Sequence, residues 1–198
     1  MQLELALAAG GMLAALLIFV AFLLYNWKDG RINTGTWVVL AFGDSLDFGS
    51  YFEMTDRDLV KNAVPLCFAI GSIVTFLFAL WKRRFALPSG LDIFVILLDV
   101  VIMFWWLRTD QGTATGANLA YQATGLLAFV PMYWGIIKGT ERETPLPWAL
   151  WTIANAIFLL THLIGDGSWE EGVYPLVAVI THAAVLRLAL RAQRALHP

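Results

Sequence analysis

Residues 129–162, FVPMYWGIIKGTERETPLPWALWTIANAIFLLTH, decide how this chain is read. An apolar segment carrying Pro131 runs into a short charged loop, Lys138-Gly139-Thr140-Glu141-Arg142-Glu143. A second apolar segment leaves from Pro145-Leu146-Pro147-Trp148. Two such segments joined by a few polar residues make a membrane hairpin. The chain carries the same pattern earlier. Setting Lys138 over Lys28, a shift of 110, lays Leu126, Leu127, Phe129 and Val130 on Leu16, Leu17, Phe19 and Val20.

Composition agrees with the hairpin. Of 198 residues 59% are apolar, nine are tryptophan and only 14% are charged, too few to cover a soluble globule of this size. The apolar runs are continuous rather than alternating, so they predict helices and not a barrel. A net charge of −2 speaks against a nucleic-acid partner. Cys67 is the single cysteine and lies inside an apolar run, so no intrachain disulfide is expected. The three histidines show no ligand pair at a usual spacing, and neither a metal nor a cofactor is predicted. No Gly-x-Ser-x-Gly, phosphate loop or His-Glu-x-x-His occurs, so nucleophilic catalysis finds no motif.

Seven runs follow in order: Leu3 to Asn26, Thr36 to Met54, Val64 to Trp81, Leu91 to Leu107, Asn118 to Ile137, Trp148 to Ile164 and Val173 to Leu190. The first lacks the basic start of a signal peptide and is read as a retained helix. An odd number of spans puts the termini on opposite sides. One side collects Lys28, Arg31, Lys82, Arg83, Arg84, Lys138, Arg142, Arg187, Arg191 and Arg194, against Arg57, Lys61 and Arg108 on the other. The positive-inside rule then places the N-terminus outside and the C-terminus in the cytoplasm.

The repeat extends past the hairpin. At the shift of 110, residues 64–84 match 174–194 at Pro65/Pro175, Leu66/Leu176, Ile70/Ile180, Ala79/Ala189, Leu80/Leu190 and Arg84/Arg194. Run two takes a shift of 111, pairing Trp37 with Trp148, Asp44 with Asn155 and Tyr51 with His162. The expected architecture is all-α: two parallel three-helix repeats, residues 1–84 and 117–198, joined by a linker helix and loop, residues 85–116. A rival shift of 81, placing Thr34-Gly35 on Thr115-Gly116, makes inverted copies but needs a different offset in each helix.

Helical spacing also proposes a site. Trp37, Leu40, Asp44, Asp47 and Tyr51 share one stripe of run two, and Trp148, Trp151, Asn155, Phe158 and His162 share its counterpart on run six. Carboxylates in a span avoid lipid, so both stripes are expected to face the interior and wall a polar, aromatic cavity. Such walls suit a sugar, nucleoside or amine-like solute, while Asp44 and Asp47 favour a cation or a proton. Asp44 and Asp99 are the candidates for proton coupling. Structural readings stand beside these: Asp44, Asp47 and Asp99 as polar glue between helices, Asp99 paired with His182 or Arg187, and His162 paired with Asp166.

Seven spans in a 3+1+3 plan, Pro131 before a short polar loop, and an aromatic-rich following helix resemble the SWEET and PQ-loop superfamily. Thr36-Trp37, Tyr174-Pro175 and the Asp44/Asn155 pair also resemble bacterial seven-span proteins of that kind. The resemblance implies two triples around a two-fold axis along the membrane normal, a small solute passing between them by alternating access, and a bacterial inner membrane. It makes Pro131 a hinge and places Ser72 and His182 nearest the asparagine pair of the third helices. Ala21 is the counterpart of Pro131, and Met132 stands where the superfamily has its glutamine. Three functions follow as expectations: a small-solute transporter, a non-transporting subunit, receptor or assembly partner, and an intramembrane enzyme using Asp44 and Asp47. The partners expected are membrane lipid, the solute, and a homo-oligomer or membrane complex.

Overall fold

The computed structural model describes residues 2–26, 34–82, 88–109, 113–140, 143–165 and 167–196. Lys28, Arg31, Arg83, Arg84 and Arg142 of the charge bias, and Asp166, lie outside them. Eight helices occur among the described residues, and no strand: α1 (Gln2–Asn26), α2 (Thr34–Met54), α3 (Leu59–Trp81), α4 (Gly90–Arg108), α5 (Thr113–Ala128), α6 (Val130–Lys138), α7 (Pro145–Ile164) and α8 (Trp169–Leu196). Helices α3, α4, α7 and α8 are each long and apolar enough to cross a membrane. Large apolar side chains such as Leu17, Leu77, Val101, Ile137 and Leu163 are exposed, whereas Asp47, Ser72, Asp99, Asn118, Gln122 and Asn155 are buried. Apolar groups outside and polar groups inside are the distribution of a helical bundle dissolved in lipid. The protein is an all-helical integral membrane protein.

The helices extend past the apolar runs because polar residues cap them. Asp58 accepts from the backbone N–H of Val60 at 2.8 Å and starts α3 five residues before the run. Ser89 and Asp92 form a reciprocal capping box at the head of α4. Helix α5 begins at Thr113, inside the segment that the sequence reading assigns to the linker.

Run five is not one helix. It divides at Phe129, and Pro131 falls in the first turn of α6, where a missing N–H is tolerated because first-turn donors have no intrahelical partner. Gly139 ends α6 in the left-handed region at φ 71°, and Thr140 N–H returns to Gly135 C=O at 2.9 Å, a Schellman closure.

Packing between helices follows a paired scheme. In the first half α3 lies against α1 and α2; in the second, α8 lies against α5, α6 and α7. Across the halves α1 packs on α7 and α5 packs on α2. Exchanging α1 for α5 and α6, α2 for α7, and α3 for α8 preserves these neighbours, the small α3–α7 contact aside. Helix α4 lies outside the exchange, against α2 and α5. Burial follows the same register: Phe19 and Phe129 are 6% and 7% exposed, while their flanking counterparts Leu16/Leu126, Leu17/Leu127 and Val20/Val130 are all exposed.

Candidate functional site

The α2 and α7 stripes meet along one cavity. Trp37, Leu40, Asp44 and Asp47 line it from α2, and Trp148, Trp151 and Asn155 from α7. Asp99 of α4 and His182 of α8 line it as well. The remaining members of the stripes, Tyr51, Phe158 and His162, are not part of this lining. Tyr51 and His162 lie two turns of helix beyond Asp44 and Asn155, and Phe158 about one turn beyond Asn155, toward the end of the bundle that holds the α2–α3 and α7–α8 turns.

There they take part in a closure. The rings of Tyr51, Phe158 and Tyr174 pack together, with centroids 5.5 to 6.1 Å apart. Lys61 Nζ lies 2.8 Å from Glu171 Oε2, and His162 Nδ1 lies 4.0 Å from the same oxygen. Tyr51 Oη donates to Glu171 C=O at 3.3 Å. That carbonyl needs an outside donor because Pro175, four residues on, has no N–H to offer it. His162 is thus a partner of Glu171, cradled by Gly167 and Gly172, where a Cβ would run into its ring.

Each carboxylate has a different setting. Asp47 Oδ1 accepts from Asn118 Nδ2 and from Gln122 Nε2, both at 2.6 Å, which ties α2 to α5. Asp99 Oδ1 accepts from Thr124 Oγ1 at 2.6 Å. The expected pairing of Asp99 with His182 or Arg187 is corrected: α4 packs on α2 and α5, so its inward side chain meets Thr124. Asp44 has Ser72 beside it, and Ser72 also donates to Phe68 C=O at 2.8 Å. Ser72 is buried behind Asp44 and does not line the cavity.

His182 is held in an aromatic box. Its Nδ1 is 2.6 Å from Ala178 C=O, which makes Nδ1 the donor nitrogen. The rings of Phe68, Phe129, Trp148 and Trp151 surround it at centroid distances of 5.4 to 6.0 Å. Trp37 and Trp151 lie 6.1 Å apart at 43°, and Phe19 meets Trp151 edge-on at 5.7 Å. Pro131 is near this box through its neighbour Phe129 but does not itself line the cavity.

Four lining or supporting residues of α5 escape the stripe argument: Asn118, Tyr121, Gln122 and Thr124. Their signal was present, since polar groups at positions 118, 121 and 122 recur at helical spacing within an apolar run. Asn155 is fully buried and donates through Nδ2 to Trp151 C=O, but its Oδ1 has no hydrogen-bond partner. The hydroxyl of Tyr121, a residue 4% exposed, likewise has none. Among the described residues no group of three or more His, Cys, Asp and Glu side chains converges to hold a metal. The arrangement sets aromatic rings and carboxylates around one space, with two buried polar atoms beside it that no hydrogen bond satisfies.

The chain matches no family model, no curated protein and no solved structure.

Proposed function

We propose that the protein is a small-solute membrane transporter of SWEET and PQ-loop type. In this reading seven spans, with α5 and α6 together making the fifth, form two parallel three-helix units joined by α4. The N-terminus is outside, and the units rock about a central cavity. The observation that carries the reading is that Asp44 and Asn155, equivalent at the shift of 111, line one cavity from opposite halves. A second observation supports the two-fold arrangement. Lys61 and Glu171 are 110 residues apart and touch. A residue can reach its own repeat counterpart only close to the axis that relates the repeats.

On this topology the Lys61–Glu171 closure faces outward, and the break at Phe129 and Pro131 serves as the hinge of the opposite end. The cytoplasmic half of α6 then moves relative to α5 without breaking further hydrogen bonds, because Pro131 has already removed one. The bacterial inner membrane is the location that fits.

The test is counterflow in proteoliposomes with radiolabelled glucose, uridine and choline. Transport of one of these classes by the wild-type protein, abolished by Asp44→Asn, is the expected result. No flux of any class, together with a partner that co-purifies in fixed stoichiometry, would overturn the reading in favour of an assembly role.

A further inference from the structure

We propose that the cavity binds a small organic cation of the ammonium class, with Asp44 and Asp99 as counter-charges and the tryptophan faces as walls. The inference rests on reading this cavity as the solute site, and it chooses among the solutes that such a site accommodates. Three carboxylates, Asp44, Asp47 and Asp99, line one space, and among the described residues no lysine or arginine lines it with them. Asp47 is held by two amide donors, and Asp99 by a single hydroxyl. Neutral donors orient a carboxylate but leave its charge in place. A carboxylate inside a bundle with no basic partner is satisfied by a proton or by a bound cation.

The shape of the site specifies an organic cation rather than a bare ion. A metal ion needs several oxygens converging on one point, and the described residues provide no such cluster. Trp37, Trp148, Trp151, Phe19 and Tyr121 instead offer aromatic surface, to which alkylammonium groups bind through the ring quadrupole. Asn155 and Tyr121 also line the cavity, and Asn155 Oδ1 and the Tyr121 hydroxyl are buried without a hydrogen-bond partner. A sugar would bring no positive charge to the three carboxylates or to the aromatic faces.

Choline is the probe, compared with dimethylbutanol, the isostere in which carbon replaces the quaternary nitrogen. Binding is measured on the purified full-length protein in detergent by radiolabelled choline displacement and tryptophan fluorescence. The expected result is saturable choline binding, with the uncharged isostere weaker by about tenfold or more. Asp44→Asn is expected to weaken choline on the order of 30-fold, and Asp44→Glu to restore most of it. Should Asp44→Asn fail to fold, the comparison of the two probes on the wild-type protein decides alone. Equal affinity for choline and dimethylbutanol, or no choline binding, overturns the proposal. Choline binding without flux in proteoliposomes supports the cation site and sinks transport. Flux of glucose or uridine without choline binding does the reverse.

Discussion

Replacing Asp47 separates its acceptor role from its charge. Both Asp47→Asn and Asp47→Ala remove the charge, so any relief from burying it is common to the two. Only Asp47→Ala removes the oxygen that receives Gln122 Nε2 and Asn118 Nδ2 at 2.6 Å. Asn118 keeps weaker partners in Ser50 Oγ at 3.2 Å and Asp47 C=O at 3.3 Å. Among the described residues Gln122 Nε2 keeps no partner of comparable geometry. An orphaned buried amide costs about 1–3 kcal/mol in water-soluble proteins. Side-chain hydrogen bonds in bilayers average about 0.6 kcal/mol, because the unfolded helices also find partners. Taking the lost Gln122 bond and the weakened Asn118 bond together, Asp47→Ala is expected to be less stable than Asp47→Asn by about 1–3 kcal/mol. The assay is unfolding in mixed micelles by increasing sodium dodecyl sulfate, followed by tryptophan fluorescence. Gln122→Ala should cost stability in the wild type and nothing further in Asp47→Ala. Equal stability of the two Asp47 variants, or full additivity with Gln122→Ala, would refute the claim that this node ties α2 to α5.

Tyr51→Phe removes the donor to Glu171 C=O and should cost about 0.5–1.5 kcal/mol in the same assay. Adding Pro175→Ala should recover part of that loss, since alanine returns the N–H that proline lacks; no recovery would disprove the explanation. Gly71→Val places new atoms in the ring of Phe19 and should destabilise the α1–α3 contact by about 1–3 kcal/mol, with Phe19→Leu compensating. Lys61→Glu sets two carboxylates against each other at the α3–α8 contact, and Lys61→Glu with Glu171→Lys should restore the melting temperature. Because Lys61 is 39% exposed on its side chain, the difference should stay within about 1 kcal/mol and shrink in high salt.

The class of protein and the position of its helices were legible in the chain because both depend on local composition: apolar runs of membrane-crossing length announce themselves one at a time. The inward direction of Trp37, Asp44 and Asp47 was legible for a related reason, since spacing along one helix sets which side chains share a face. What spacing does not contain is the identity of the facing helix. Spacing alone makes the α2 and α7 stripes a uniform lining, whereas Tyr51, Phe158 and His162 take part in the closure around Glu171.

The fate of Asp99 shows the same division. From α4 alone it was as well placed for His182 or Arg187 as for any other partner; the packing of α4 on α5 gives it Thr124. Pro131 announced a perturbed helix, whereas the packing of α6 against α8 beyond the break at Phe129 was not contained in the spacing. By itself, then, the sequence determined a lipid-facing helical protein with carboxylates on interior stripes, because hydropathy and helical period are carried by each segment alone. The tertiary structure decided which carboxylate joins helices, which stands open to a cavity and which residues close one end, because those roles belong to pairs of helices brought together only by packing.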